Sequence, residues 1–119
     1  MSQVNLAEKF AHINEYWSPK IAGELNGQQL RLVKFKGEFI WHHHDKEDEL
    51  FLVTRGTLLI QFRDREVTLD EGEFIIIPAG VDHRPVAKEE VHVVLLEPTS
   101  TLNTGNVTDE RTIRNLDRI

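Results

Sequence analysis

Three consecutive histidines, at positions 42 to 44, form the densest group of metal-ligand side chains in the sequence. Successive side chains of a β-strand point to opposite faces, so His42 and His44 share a face with about 7 Å between them. His43 points to the other face and is excluded as a ligand of the same ion. The spacing of His42 and His44 therefore suits two ligands of one metal ion.

A carboxylate and a further histidine complete a candidate ligand set. Glu49 begins the next predicted strand, and a hairpin through 45–48 would return its carboxylate to the imidazoles. His83 follows a tight turn at 78–80, where another predicted strand ends. Imidazole and carboxylate ligands suit a borderline divalent ion (Fe, Mn, Co, Ni, Cu or Zn), and an octahedral ion would keep open positions for water or substrate. Taken singly, histidines beside acids also fit a solvated turn.

Short strands must position these residues. After the segment 17–19 the chain alternates short apolar, β-branched runs with turn residues, which predicts an all-β fold. Apolar residues at helical spacing from Leu6 to Ile13, with Asn5 as the N-cap, predict a short amphipathic helix that only plugs the barrel or covers a sheet. The predicted strands are Ile21–Leu25, Leu30–Lys36, Phe39–His44, Leu50–Thr54, Thr57–Phe62, Val67–Leu69, Phe74–Ile77 and Val91–Glu97.

Several predicted strands are apolar on both faces. Phe51 and Val53 point one way, whereas Leu50 and Leu52 point the other. One face fills the interior of a barrel, and the other needs a second layer or a second subunit to cover it. We therefore expect a homodimer.

The length of 119 residues fits one domain. We expect a single domain over 1–119, with a helix and arm at 1–18, the barrel at 19–98 and an extended tail at 99–119. The tail is polar and rich in turn residues. Its pattern leaves open whether it packs on its own barrel, packs on a neighbour or is partly disordered.

Charge and composition limit the classes of partner that we expect. The net charge is -6 and the lysines and arginines are scattered, which argues against nucleic acid and anionic membranes and in favour of a small-molecule or protein partner. The longest apolar stretch, 74–81, is broken by Pro78 and Gly80, and the amino terminus lacks the pattern of a signal peptide. Without cysteine there is neither a disulfide nor a thiolate ligand, and we expect the protein in the reducing cytoplasm.

Two segments resemble the two sequence motifs of the cupin family. The first segment contains Gly37, His42, His44, Glu49 and Gly56, and the second contains Gly72, Pro78, Gly80 and His83. Four rather than five residues separate Gly37 from His42, and Ala87 stands where many members carry asparagine. Neither departure touches a ligand position.

The resemblance implies a cupin double-stranded β-helix, also called a jelly-roll barrel, which is usually dimeric. It also implies that His42, His44, Glu49 and His83 together bind one divalent metal ion. The identity of that ion stays open among the six metals named above.

The segments around the motifs, 16–20, 97–98 and 103–105, are similar to a group of small bacterial cupins labelled mannose-6-phosphate isomerase-like. His12 and His92 lie outside both motifs, and we interpret them as structural or surface residues.

A metal site with open positions points first to an enzyme that chelates and polarises a small oxygen-rich ligand, such as an α-hydroxy or keto acid, a diketone or a sugar. Fe(II) would favour a dioxygenase, whereas Mn or Zn would favour an isomerase or a decarboxylase. A second hypothesis is a binding or sensing module that holds a metal-chelated metabolite without turnover. A third is a storage-like or structural barrel with an adventitious metal.

The sequence assigns no catalytic residue. Glu38, Glu47 and Asp48 are most simply explained as solvated acids, so no general acid or base is identified. Arg55 and Arg63 are explained equally well as ligands of an anionic substrate and as exposed hairpin residues. Enzyme and binding module therefore both stay open as hypotheses.

Overall fold

The computed structural model describes residues 1–119, and antiparallel β-strands make up most of it. The elements are α1 (Leu6–Ala11), β1 (Lys20–Leu25), β2 (Gln28–Glu38), β3 (Glu49–Arg55), β4 (Leu58–Phe62), β5 (Glu66–Leu69), β6 (Phe74–Ile77) and β7 (His83–Pro98). The Asn5 side chain accepts a hydrogen bond from the Glu8 backbone N–H and caps α1, as predicted. No helix has both the length and the apolar character that crossing a membrane requires.

The longest strand, β7, joins the two layers of the barrel. Its first residues, 83–86, pair with β4, which in turn pairs with β5. Its later residues lie between β2 and β3, within the strand order β1-β2-β7-β3-β6. The sequence prediction of an all-β barrel with one short N-terminal helix is therefore confirmed.

The predicted strand Phe39–His44 is wrong, because this segment makes only an isolated bridge between His42 and His83. The register explains the interruption. Glu38 pairs with Val86 and His42 pairs with His83, so one extra residue is inserted on the histidine side. An extra residue of this kind bends a strand and interrupts its ladder.

The prediction that a hairpin through 45–48 pairs the histidine segment with the next strand is also wrong. The strand β3 pairs with β6 and β7, not with the histidine segment. Glu49 faces the barrel interior because it shares the parity of Phe51 and Val53, which are buried on the same face of β3. The carboxylate therefore reaches the imidazoles through the sheet and not through a local turn.

Apolar side chains fill the interior of the barrel and cover part of its outer face. The interior cluster contains Val33, Phe35, Phe51, Val53, Leu58, Ile60, Leu69, Ile77, Ala87, Val91, Val93 and Leu95. A second cluster lies on the outer face, where α1 packs Phe10 beside Ile13, Leu32 and Val94. Burial of this apolar surface is the main driving force for the fold.

In the structure the tail, 99–119, packs on its own barrel, which is one of the alternatives that its sequence pattern leaves open. Near its end, the Ile21 N–H donates to the Asp117 carbonyl and the Ile119 N–H donates to the Ile21 carbonyl. Closer to the barrel, the Asn106 N–H donates to the His43 carbonyl at 2.9 Å. The tail thus contacts the segment that carries the histidines.

We predict that Phe10→Ala lowers the free energy of unfolding by about 3 kcal/mol, as expected for removing a buried phenyl ring. Phe10 is 2% exposed and its ring stacks on His92 with the centroids 4.6 Å apart. Val4→Ala is the control, because Val4 is exposed. Urea unfolding followed by circular dichroism measures both variants, and equal losses would contradict the packing of α1 described here.

Candidate metal centre

Four side chains on separate parts of the chain converge at one end of the barrel. His42, His44 and Glu49 are each 4% exposed, and His83 is fully buried. Each of the four offers a ligand atom, and these atoms all lie within 4.8 Å of one another. Glu49 Oε1 lies 3.3 Å from His44 Nε2 and 3.4 Å from His83 Nε2. The structure thus brings together all four residues that the sequence singles out.

Backbone hydrogen bonds hold the three histidines in place. The His42 N–H donates to the His83 carbonyl at 3.1 Å, and the His83 N–H donates to the His42 carbonyl at 2.9 Å. The Gly80 N–H donates to the His44 carbonyl at 2.7 Å. Asp48 fixes the same turn by accepting from the Ala79 N–H, so Asp48 is more than a solvated acid.

The ring orientation of two histidines is set by backbone carbonyls. His42 Nδ1 lies 2.9 Å from the Ile40 carbonyl oxygen, and His83 Nδ1 lies 2.9 Å from the Val81 carbonyl oxygen. Because a carbonyl oxygen only accepts, each Nδ1 must carry the hydrogen. In the neutral form of each ring Nε2 then keeps a lone pair, which is the arrangement that metal-ligating histidines usually have.

The environment sets the protonation state of the cluster. Burial lowers the pKa of His42 to about 4, and repulsion from His83 adds to this effect. Burial opposes ionisation of Glu49, but the contacts with His44 and His83 outweigh it and hold the pKa of Glu49 below its usual range. A neutral His42 and an ionised Glu49 are the forms in which these side chains bind metals.

The four residues fit a divalent ion. His44 Nδ1 and Nε2, His83 Nε2 and Glu49 Oε1 are buried and have no hydrogen-bond partner. Buried polar atoms without partners are costly and uncommon, so a ligand for them is expected. Donors about 2.1 Å from a common ion lie roughly 3–4 Å apart, which matches the spacing of Glu49 Oε1 from the two imidazoles.

A small cavity beside the cluster has an aromatic wall. Its empty volume is about 380 Å³, including solvent at the open end, and His42 and Glu49 line it together with Trp17, Phe35 and Phe39. The Trp17 ring stacks on Phe35 and Phe39 with centroid distances of 4.3 and 4.9 Å. Trp17 also has a backbone φ of 60°, which is strained for a bulky residue and indicates that packing fixes it there.

Two residues of the site, Glu97 and Gly105, were not predicted from the sequence. Glu97 lines the cavity and is 1% exposed, and the parity of Val91, Val93 and Leu95 along β7 would have placed it inward. Gly105 of the tail packs against the His42 ring and the His43 carbonyl. No local pattern reveals this second contact, because it joins the tail to a distant segment.

The other side chains considered earlier lie away from the cavity. His43 lies between Asp82 and Asp45, with its ring nitrogens 3.0 and 2.8 Å from their carboxylates, and its pKa is raised mainly by the hydrogen bond to Asp82. His92 packs on Phe10, and His12 is exposed at the end of α1. Neither Arg55 nor Arg63 lines the cavity.

A family model described as the cupin domain matches residues 31–98, which include all four clustered residues. An uncharacterized protein of Bacillus subtilis (strain 168), YdbB, is 47% identical over 62 residues. That match covers 51% of this chain and 55% of YdbB, so the match spans about half the length of the curated relative.

Solved structures agree with the fold. A cupin-2 domain containing protein from Shewanella frigidimarina is 48% identical with a TM-score of 0.79, and the alignment covers 80% of this chain and 93% of that one. Hydroquinone 1,2-dioxygenase from Sphingomonas sp. TTNP3, solved with 4-nitrophenol, is 17% identical with a TM-score of 0.73. That alignment covers 83% of this chain and 33% of the dioxygenase chain, and at this identity it supports the fold alone.

We predict that Gly105→Ala destabilises the protein more than Gly27→Ala. Both glycines have a positive φ, of 58° and 78°, which costs alanine about 1 kcal/mol. A Cβ at Gly105 would clash with the His43 carbonyl oxygen, whereas a Cβ at Gly27 meets nothing within 4 Å. Urea unfolding of the metal-free variants measures the difference. Equal losses would show that the tail does not pack on the histidine segment.

Proposed function

The chain belongs to the cupin family, and we propose that it binds one divalent metal ion through His42, His44, Glu49 and His83 and uses that ion to hold a small oxygen-rich metabolite. One observation carries the proposal. Backbone carbonyls hold the Nδ1 hydrogens of His42 and His83, which leaves Nε2 free, while Glu49 Oε1 and the other buried nitrogens of the cluster have no partner.

When bound, a divalent ion at this site would supply Lewis-acid polarisation of a chelated oxygen. The protein's own residues prepare the surroundings. Glu49 contributes the negative charge that offsets part of the charge of a cation, and burial keeps the His42 imidazole neutral and able to donate its lone pair. The wall formed by Trp17, Phe35 and Phe39 excludes water and strengthens electrostatic interactions in the cavity.

Dioxygenase, isomerase and decarboxylase chemistry are the reaction classes we propose to screen, with Fe, Mn, Zn, Ni, Co or Cu as the metal. The hydroquinone dioxygenase shares the fold at low identity, so it makes dioxygenase assays reasonable without selecting that chemistry. The flanking segments are similar to those of the mannose-6-phosphate isomerase-like group, and this similarity is the reason to include sugars and their phosphates in the screen.

A non-catalytic binding or sensing module is the second candidate function. The lining of the cavity favours it, because Glu97 is the only titratable side chain there apart from His42 and Glu49. Few groups are thus placed to move a proton during a reaction. Turnover by the metal-loaded protein distinguishes an enzyme from this alternative.

We also propose that residues 1–119 act as one domain within a homodimer in the cytoplasm. The absence of cysteine supports the reducing compartment. An incompletely covered apolar face supports the dimer: Phe74 and Ile76 of the edge strand β6 are 60% and 55% exposed, beside the half-buried Leu50 and Leu52.

We predict that protein purified without an immobilised-metal column carries close to one divalent ion per chain and that Glu49→Ala loses it. Removal of the carboxylate takes away both a ligand atom and the negative charge of the cluster. Glu47→Ala is the matched control, since Glu47 lies two residues before Glu49 but accepts a hydrogen bond from the Ser100 hydroxyl. Elemental analysis gives the metal content. Wild-type protein that takes up no metal when supplied would contradict the proposal.

We predict that the wild type is dimeric by light scattering and that Phe74→Glu shifts it towards the monomer, because a buried charge in the interface would be costly. Leu25→Glu is the control, since Leu25 is 64% exposed at the end of β1, away from β6. If the Phe74→Glu variant is still dimeric, this face is not the dimer interface.

A further inference from the structure

The cavity beside the metal cluster runs from a polar end to an apolar end. The register of β3 and β7 places Glu49 opposite Glu97 in one inward-facing row, and both side chains line the cavity. The next inward-facing row contains Phe51 and Leu95, and Val33 lies one row further. These three apolar side chains also line the cavity. A molecule that is held at the metal centre and enters the cavity would therefore pass from carboxyl groups to aliphatic and phenyl groups.

The polar side-chain atoms in the rest of the wall are already used within the protein. Trp17 Nε1 donates to the Lys36 carbonyl at 2.9 Å. The Asn103 amide nitrogen donates to the Arg111 carbonyl at 2.8 Å, and its amide oxygen accepts from the Ile113 N–H at 2.9 Å. The other wall side chains are aliphatic, phenyl or proline groups, which neither donate nor accept. Beyond the polar end, the wall thus offers a ligand no side-chain atom that still lacks a hydrogen-bond partner.

Glu97 belongs to the polar end and not to the apolar wall. It lies beside Glu49, and its ion pair is with Arg31 Nη1, 3.6 Å away. Arg31 is 2% exposed and does not line the cavity. The Glu97 carboxyl group therefore lies near the chelating oxygens of a bound molecule and away from the part that enters the apolar end. This placement is the same whether the carboxyl group is ionised or neutral.

We propose that the molecule held at the metal centre carries its chelating oxygens at one end and an apolar body at the other. The inference rests on the proposed metal-binding function and narrows its substrate class. It favours hydroxy acids, keto acids and diketones that bear an alkyl or aryl group. It disfavours sugars and sugar phosphates, because their hydroxyl groups extend along the whole molecule.

The discrimination follows from desolvation. A hydroxyl group at the apolar end would lose its hydrogen bonds to water and gain none from the wall, whereas a methyl group at the same position would gain from burial. An enclosed apolar site distinguishes a methyl group from a hydroxyl group of the same size by on the order of 100-fold. Because this cavity of about 380 Å³ is open to solvent at one end, we expect about a tenfold difference in affinity.

The test compares 2-hydroxypentanoate with 2,4-dihydroxybutanoate as ligands of the Co²⁺-loaded full chain. Both are α-hydroxy acids, and they differ only in a terminal methyl or hydroxyl group of nearly the same size. The visible spectrum of Co²⁺ reports binding at the metal, and elemental analysis reports the Co²⁺ content of each variant. The affinities of the two acids for free Co²⁺ give the reference ratio. Relative to that reference, we expect the wild type to bind 2-hydroxypentanoate about tenfold more tightly.

Val33→Thr adds a hydroxyl group to the cavity wall with little change in volume. We expect it to lower the preference to about threefold or less, because the new hydroxyl group can bond to that of 2,4-dihydroxybutanoate. Val94→Thr is the matched control and should keep the wild-type preference, since Val94 is 5% exposed but packs on the outer face beside Phe10. Circular dichroism checks the folding of both variants. If Val33→Thr does not fold, Phe39→Tyr replaces it, since it also adds a hydroxyl group to a side chain of the wall.

The outcomes separate the two proposals. A wild type that takes up no Co²⁺ overturns the proposed metal-binding function and this inference with it. A Co²⁺-loaded wild type that binds neither acid, or that shows no preference for 2-hydroxypentanoate, overturns the apolar-body inference alone. The same holds if the folded, Co²⁺-loaded wall variant keeps the full preference, or if Val94→Thr loses it to the same extent.

Discussion

The pair of backbone hydrogen bonds between His42 and His83 is the constraint on which the site depends. An inserted residue interrupts regular pairing after Glu38, so this single bridge attaches the histidine segment to β7. It fixes two imidazoles directly, with their centroids 4.4 Å apart. The interruption also frees the following residues to turn over the end of the barrel, where the tail packs against them.

The alternation of side chains along an extended segment correctly predicts which residues face inward, even where the predicted secondary structure is wrong. His42 and His44 are buried and His43 is partly exposed although no regular strand forms there, because extended backbone alternates its side chains without a ladder. The extra residue, the pairing of β3 and the docking of the tail depend on contacts between distant segments. The same parity would have placed Glu97 inward, but a charged residue near the predicted end of a strand gave no reason to treat it as buried.

The interior divides into an apolar part and a polar end. Rows such as Val33, Val93 and Val53 exclude water and supply most of the stabilisation. At the other end, Gln29, Arg31, Glu97 and Glu49 form a buried polar group beside the histidines. The apolar rows hold this group in place, and burial in turn controls its protonation. The residues that stabilise the fold and the polar residues of the site therefore lie on the same strands.

The position of β7 at the end of the barrel sequence affects the order in which the molecule assembles. The strand pairs with β2, β3 and β4, and its first residue is His83, so most sheet contacts join residues far apart along the chain. Proteins with such contacts fold slowly, because the entropy of closing long loops is lost before the contacts form. On the ribosome, β2 and β3 emerge without their central partner and would expose apolar surface until β7 arrives. Because His83 is one of the four clustered residues, the complete site that we propose forms only once β7 is in place.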